Sequence, residues 1–220
     1  MKPSPPCPLC YYRISTLYSE VGRRRYWRCG RCALVFLEPA QLPAAAGELE
    51  YYLLHENDPN DSRYRAFLAP LTDAVLERLA PGAEGLDYGC GPGPAAAAVL
   101  REQGRPTLLY DPFFAPSPEP LRRSYDFILC SEVAEHFHQP AYDFEWFRWL
   151  LKPGGWLAVM TSLLDDGIDF ANWHYRRDPT HVVFYSEQTF RWLAGHYRWA
   201  VQRPHPRVTL LRASCGHWRS

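Results

Sequence analysis

The stretch that decides the fold reads Gly85-Leu86-Asp87-Tyr88-Gly89-Cys90-Gly91-Pro92-Gly93-Pro94. A short apolar strand leads into a glycine-rich turn, and Pro94 then stands where proline is favoured, at the first turn of a helix. The alanine-rich residues 95–100 that follow have strong helix propensity. This order starts a βαβ unit, in which glycines let the backbone approach a ligand at the carboxyl end of the strand.

The glycine spacing separates two kinds of nucleotide cofactor. A dinucleotide site uses Gly-x-Gly-x-x-Gly, but counting from Gly89 and Gly91 the third glycine is replaced by Pro94. An acid followed by glycines at alternate positions is met throughout residues 87–93. In this pattern the chain resembles class I S-adenosylmethionine-dependent methyltransferases. The resemblance implies an α/β, Rossmann-like fold with a mostly parallel sheet flanked by helices, and S-adenosylmethionine as the cofactor.

The resemblance also implies roles for residues around this turn. Asp87 orients the amino-acid end of the cofactor, directly or through water, and the backbone of residues 88–90 passes along it. The next apolar strand, residues 107–110, ends in Asp111, 20 residues after Gly91. An acid at this place can accept both ribose hydroxyls, and Pro112 with Phe113 then lies near the adenine.

A third apolar strand, residues 125–130, opens into Ser131-Glu132-Val133-Ala134-Glu135-His136-Phe137. This resembles the fourth-strand motif of the same enzymes, whose loop borders the methionine moiety and the transferable methyl. The predicted cofactor-binding residues are therefore Asp87, Tyr88, Gly89, Cys90, Gly91, Gly93, Asp111, Pro112 and Ser131.

Two further features bear on the topology. Lys152-Pro153-Gly154-Gly155 matches the family's helix–turn–strand signature, for which we expect a structural role only. Only 13 residues separate Asp111 from Tyr125, where the family usually has a helix, a further strand and a loop. We therefore expect that strand to be absent or reduced to residues 121–123. The resemblance covers about residues 50–213.

Methyl transfer from a sulfonium is an in-line displacement, and a base is needed only where the acceptor atom carries a proton. His136 and His181 are the candidate catalytic residues, because both follow strands at the carboxyl edge of the predicted sheet, where ligands bind. Tyr51, Tyr52 and His55 belong either to a lid over this edge or to ordinary aromatic packing.

Four cysteines near the amino terminus form two Cys-x-x-Cys pairs with 18 residues between them, Cys7 and Cys10 followed by Cys29 and Cys32. This is the spacing of a structural zinc site with four sulfur ligands. A unit this small cannot build a sufficient apolar core, so the metal is expected to fold it. With four protein ligands the ion has no open position, so it is not expected to be catalytic.

Composition limits the remaining possibilities. The 220 residues are 47% hydrophobic and 22% charged, typical of a globular protein rather than a disordered or fibrous one. No apolar run is long enough to cross a bilayer and the first residues lack a signal-peptide core, so we expect a soluble, cytoplasmic protein. A proline- and alanine-rich stretch after residue 38 reads as a connector. It predicts a zinc ribbon at 1–38, a linker at 39–50 and a methyltransferase domain at 51–220.

Three functions remain open from the sequence. The favoured one is methyl transfer to a small-molecule acceptor. A second makes the acceptor RNA, since residues 1–38 carry seven basic and two acidic side chains and a basic ribbon can clamp phosphates. A third is a catalytically silent binding module, which the intact set of glycines and acids argues against.

Overall fold

The computed structural model describes residues 4–54 and 58–215. In chain order its elements are β1 (Ser15–Val21), β2 (Arg24–Cys29), β3 (Val35–Leu37), α1 (Ala45–Tyr52), α2 (Ser62–Leu76), β4 (Gly85–Tyr88), α3 (Ala95–Glu102), β5 (Thr107–Tyr110), β6 (Tyr125–Ser131), α4 (Pro140–Leu150), β7 (Leu151–Met160), α5 (His174–Arg177), β8 (Val183–Phe184), α6 (Glu187–Tyr197), β9 (Ala200–His205) and β10 (Val208–Arg212). Short 3-10 turns lie at Pro39–Gln41, Glu119–Arg122 and Ala134–His136.

The larger sheet has six strands in the order β5-β4-β6-β7-β10-β9. The strands β5, β4, β6 and β7 run parallel, and β10 and β9 close the sheet as an antiparallel pair. The predicted α/β fold, with a mostly parallel sheet and helices beside it, is confirmed. Because the carboxyl ends of β5, β4 and β6 meet at one edge, residues that follow these three strands lie close together.

In the described residues β5 is one of the two edge strands of this sheet, and no strand forms between Asp111 and Tyr125. A bridge between Asp111 and Ala115 and the 3-10 turn Glu119–Arg122 fill this segment. The segment contains four prolines, which lack the N–H that a sheet ladder needs. The expectation that the family's extra strand is missing is therefore met.

Apolar side chains cover both faces of the sheet. On one face, helices α2 and α3 pack Leu71 and Leu100 against Phe127 and Leu129 of β6. On the other face, α4 and α6 contribute the fully buried Phe144, Phe147 and Phe190. The sequence predicts that Ser186 caps a helix running to about His196, and in the structure Ser186 accepts a hydrogen bond from the Thr189 N–H and caps α6.

The second sheet is the ribbon, in the order β1-β2-β3-β8. Its fourth strand comes from much later in the chain, because Val35 pairs with Phe184. Tyr26 is fully buried, and its ring lies 4.9 Å from Phe170 and 5.9 Å from Phe184. The ribbon is thus joined to the core of the large domain and is not a freely appended unit.

Two local predictions in the amino-terminal part need correction. Between the two cysteine pairs the sequence predicts a first strand at residues 11–18, but in the structure this strand is Ser15–Val21, followed by a turn at Gly22 (φ 61°). The stretch 39–50 is not an extended linker, since it holds a 3-10 turn and most of α1. Alanine is the best helix former, and here this propensity overrides the connector-like composition. Glu48 of α1 is buried and pairs with His138 at 2.9 Å.

The Lys152–Gly155 signature forms a bulge inside strand β7, so Tyr125 pairs with Leu151 but Phe127 pairs with Trp156. Gly154 has a φ of 77°, which a residue with a side chain rarely adopts. The signature is structural, as expected, although it lies within the strand instead of before it.

Candidate active site

The glycine turn after β4 is held in place by strand β5. The N–H groups of Gly89 and Cys90 donate to the Tyr110 carbonyl at 2.8 and 3.2 Å. Gly89 (φ 78°) has no room for a side chain, since an added Cβ would lie 2.5 Å from the Val133 methyls. Gly91 (φ 60°) faces open space. The turn therefore presents bare backbone to a crevice at the carboxyl edge of the sheet.

The side chains of Tyr88 and Cys90 contribute no reactive group to the turn. The Tyr88 hydroxyl donates to Asp143 at 3.0 Å, so only its backbone faces the turn. Burial raises the pKa of the Cys90 thiol to about 12, which makes it a poor nucleophile. Gly93 is buried, and its carbonyl accepts from the Ala95 N–H at 2.8 Å.

Asp87 lies beneath the turn and is 3% exposed. Burial raises the pKa of its carboxyl to about 7, although the N–H of Ala97 donates to it and opposes this change. Burial, together with the carboxylates of Asp87 and Glu132, also raises the pKa of Tyr64 to about 12. Tyr64 on α2 thus lies near the crevice, a position that its helical spacing in the sequence did not indicate.

Asp111 is buried and anchors two loops. One carboxylate oxygen accepts from the Gly91 N–H at 3.0 Å. The other accepts from the N–H groups of Phe113 and Phe114 at 2.8 and 3.1 Å. Pro112, which lies between Asp111 and Phe113 in the sequence, is exposed. Each carboxylate oxygen has two lone pairs, so the oxygen that accepts from Gly91 keeps one lone pair for a hydroxyl.

At the end of β6, two buried polar atoms lack a hydrogen-bond partner in the described residues: Ser131 Oγ and Glu132 Oε1. Glu132 adopts a φ of 51°, rare for a residue with a side chain. Burial raises the pKa of its carboxyl to about 7, and Arg207 opposes this rise. Buried polar groups are usually hydrogen-bonded, so these two atoms are available to a polar ligand or to water.

The two predicted catalytic histidines come together, with ring centroids 4.7 Å apart. His136 Nδ1 lies 3.1 Å from the Thr180 carbonyl oxygen, and His181 Nδ1 lies 2.7 Å from the Tyr175 carbonyl oxygen. Since a carbonyl oxygen only accepts, each Nδ1 carries the hydrogen, and in the neutral ring Nε2 then holds a lone pair.

A buried acid that the sequence analysis did not single out lies beside these rings. Glu135 is 0% exposed. It accepts from the Tyr175 hydroxyl at 2.5 Å and from the Thr161 hydroxyl at 3.0 Å. Burial, followed by the neighbouring Glu132, raises the pKa of Glu135 well above its usual range. The sequence signal for this acid was the pair Glu132 and Glu135, which follows directly after an apolar strand.

A family model described as a methyltransferase domain matches residues 61–202. The chain belongs to this methyltransferase family. No curated protein matched the sequence. The resemblance to S-adenosylmethionine-dependent methyltransferases that the motifs predicted is thereby confirmed.

Solved structures share the fold of this methyltransferase at low sequence identity. An O-methyltransferase family protein from Burkholderia thailandensis is 19% identical with a TM-score of 0.54, over 80% of this chain and 66% of that one. The 1,6-didemethyltoxoflavin N1-methyltransferase of the same organism, with S-adenosylhomocysteine bound, is 16% identical with a TM-score of 0.51, over 90% and 99%. CalO1, a methyltransferase in calicheamicin biosynthesis, is 14% identical with a TM-score of 0.51, over 77% and 58%. The chain thus spans a little under two thirds of the first of these proteins.

The residues of this methyltransferase fit the predicted nucleoside cofactor. Gly91 leaves space beside the turn, Asp111 keeps a lone pair for a hydroxyl, and Ser131 offers a buried hydroxyl without a partner in the described residues. These features follow the neighbouring strands β4, β5 and β6. One extended ligand lying across this edge would contact all of them.

The amino-terminal sulfur cluster is also assembled as predicted. Sγ of Cys7 lies 3.5 Å from Cys32, and Sγ of Cys10 lies 3.4 Å from Cys29. Zinc–sulfur bonds of about 2.3 Å in a tetrahedron place the sulfurs about 3.8 Å apart, so the cluster is close to the size that zinc needs. The cysteines Cys7, Cys29 and Cys32 are buried and Cys10 is partly buried. This environment suits a closed structural zinc site.

Helix α1 lies over the crevice of the methyltransferase. The Tyr52 ring contacts Phe113 at 5.7 Å, in the loop after β5, and His136 at 5.3 Å, in the loop after β6. Tyr52 therefore bridges the two ends of the site, as a lid residue would. His55 lies outside the described residues. No helix in the described part of the chain is long and apolar enough to span a membrane.

Proposed function

We propose that this protein transfers a methyl group from S-adenosylmethionine to a small molecule whose acceptor oxygen or nitrogen carries a proton. One observation carries the proposal. The strands β5, β4 and β6 are neighbours, and at one edge they end in Asp111, the glycine turn and Ser131. The histidine pair lies in the loops next to Ser131.

In this proposal the Asp111 oxygen that accepts from the Gly91 N–H also accepts a ribose hydroxyl. Asp87, beneath the turn, attracts the positively charged amino group at the other end of the cofactor. Ser131 Oγ gains the hydrogen-bond partner that it lacks among the described residues. Each role uses an atom that is in position before the cofactor binds, which lowers the entropic cost of binding.

The cofactor supplies a methyl carbon on a sulfonium, and attack by the acceptor lone pair breaks the carbon–sulfur bond with its electrons going to sulfur. In this proposal His181 Nε2 takes the acceptor proton, and the bond from its Nδ1–H to the Tyr175 carbonyl supports this role because it fixes the tautomer. His136 has the same arrangement toward Thr180. Tyr52 covers His136 and helps exclude water.

Two features support a small-molecule acceptor. The toxoflavin-precursor N1-methyltransferase and CalO1, which share this fold, act in small-molecule chemistry by their names. The ribbon arginines are also engaged within the chain: Arg24 donates to the Pro179 carbonyl, Arg25 pairs with Glu38, and Arg31 lies over the Tyr12 ring. This leaves less basic surface for RNA phosphates than the charge count suggests.

The test is transfer of labelled methyl from S-adenosylmethionine into a cell extract that is then separated into small-molecule, RNA and protein fractions. We expect label in the small-molecule fraction with the wild type, and at least tenfold less with His181→Ala. The matched control is His174→Ala, since His174 is exposed on α5. Label in the RNA fraction would support the RNA alternative, and no transfer into any fraction would support the silent module.

A further inference from the structure

The cluster formed by Glu135, His136 and His181 has the composition of a metal site. Each residue offers one ligand atom, and these atoms lie within 4.8 Å of one another. Donors about 2.1 Å from a single ion are at most about 4.2 Å apart, so a side-chain shift of less than about 1 Å closes such a site. The pair between His181 Nε2 and Glu135 Oε1, at 3.9 Å, is already within that limit.

The orientation of both imidazoles is the one that metal-binding histidines usually have. Each ring donates Nδ1–H to a backbone carbonyl, that of Thr180 or Tyr175. Such a bond fixes the tautomer and leaves the Nε2 lone pair of each ring as its metal ligand. Glu135 is likewise fixed, by the hydroxyls of Tyr175 and Thr161. The three donors are therefore positioned by a surrounding set of hydrogen bonds.

Glu135 also has carboxyl neighbours and no basic partner. This acid is completely buried, and its neighbour Glu132 is a second carboxyl. Among residues 4–54 and 58–215, no lysine or arginine pairs with Glu135. A buried carboxyl without a basic partner either stays protonated or coordinates a cation, and Asp178 adds a further carboxylate 3.6 Å from His181 Nε2.

We propose that Glu135, His136 and His181 bind a divalent first-row transition-metal ion at the methyl-transfer site, separate from the zinc of the ribbon. Two imidazoles with one carboxylate favour ions such as Mn²⁺, Fe²⁺ or Zn²⁺ over Ca²⁺. Asp178, and water or acceptor atoms, would complete the coordination.

The role of the ion rests on the proposed function. The charge of the ion would lower the pKa of an acceptor hydroxyl held beside it, and the released proton would pass to water. With the ion bound, both Nε2 lone pairs would be used by it, so water would take the acceptor proton in place of His181, which is the proposed base in the metal-free protein.

Binding is tested without any reaction. The protein is loaded with one equivalent of zinc, which the thiolates retain, and is then titrated with Mn²⁺ while free Mn²⁺ is followed by electron paramagnetic resonance. Mn²⁺ prefers oxygen and nitrogen ligands and does not compete for four sulfurs. We expect one Mn²⁺ per wild-type chain, and about 100-fold weaker binding by Glu135→Gln and by His136→Ala. The His174→Ala variant should bind like the wild type.

Calorimetry with S-adenosylhomocysteine on each variant reports whether the cofactor crevice is still folded. The inference is overturned if wild-type protein that binds S-adenosylhomocysteine takes up neither Mn²⁺ nor a second zinc, or if Glu135→Gln and His136→Ala bind Mn²⁺ as tightly as the wild type. Uptake of Mn²⁺ by a protein that does not bind S-adenosylhomocysteine would support the metal site and contradict the proposed function.

Discussion

The Gly91 N–H donates to the Asp111 carboxylate at 3.0 Å, which ties the glycine turn after β4 to the acid that ends β5. The residue that we assign to the ribose is therefore also part of the framework of the crevice. A change at Asp111 is expected to affect both cofactor binding and the stability of the fold.

Replacing Asp111 with alanine leaves three N–H groups without their acceptor: those of Gly91, Phe113 and Phe114. Unsatisfied buried donors cost about 1–3 kcal/mol each, less where water reaches them. We expect a lower melting temperature and at least tenfold weaker binding of S-adenosylhomocysteine by calorimetry. Glu119→Ala, at an exposed acid on the same segment, is the control and should change neither quantity. Unchanged affinity in Asp111→Ala would show that the ribose assignment is wrong.

Asp87 predicts a pH dependence of cofactor binding. Burial raises its pKa to about 7 from the usual 3.8, so the folded protein holds this proton more tightly than the unfolded chain. The stability that Asp87 contributes is therefore full below about pH 4 and is lost as the pH rises to about 7. A cationic amino group prefers the ionised form, so affinity for S-adenosylhomocysteine should rise about tenfold between pH 6 and pH 8.

The matched variant for that experiment is Asp87→Asn, which cannot ionise. Its affinity should be weak at both pH values, with most of the pH dependence gone. An unchanged pH profile in Asp87→Asn would assign the titration to another group.

The two glycines of the turn should respond differently to alanine. At Gly89 the new Cβ would lie 2.5 Å from the Val133 methyls, whereas at Gly91 nothing lies within 4 Å. Both adopt positive φ, which costs a side-chain-bearing residue about 1–2 kcal/mol. Gly89→Ala should therefore lower the free energy of unfolding more than Gly91→Ala, and Val133→Ala should restore part of the loss. Equal destabilisation of the two variants in urea would contradict the described packing.

Loss of the ribbon metal should be felt at the transfer site. Leu37 N–H donates to the Val182 carbonyl at 2.8 Å, and Val35 pairs with Phe184, so β3 holds the segment that carries His181. Removal of zinc by a chelator, or Cys29→Ser, should speed amide hydrogen exchange in residues 180–185. Exchange in β5, on the far edge of the large sheet, should stay the same. Equal protection of residues 180–185 with and without zinc would show that the ribbon metal does not stabilise the segment that carries His181.

The parts of the fold that the sequence predicts correctly are the local ones. The glycine turn, the acid after β5 and the cap at Ser186 are each defined by residues a few positions apart, where backbone geometry leaves few choices. The same holds for the two Cys-x-x-Cys turns.

What the sequence does not predict depends on contacts between distant segments. Strand β8 has only two residues and forms because Phe184 is buried against Tyr26. The contact between His136 and His181 requires two loops 45 residues apart, and both residues were predicted separately. The sequence does not identify Glu135 as a buried site residue, because its burial depends on Tyr175 and Thr161, which only the folded chain brings near.

The central claim is that the crevice around Gly91, Asp111 and Ser131 binds the nucleoside cofactor. Titration of the zinc-loaded protein with S-adenosylhomocysteine in a calorimeter tests it most directly. We predict one binding site with a micromolar dissociation constant and a clear rise in melting temperature. A flat titration, with no change in melting temperature at millimolar ligand, would contradict the account.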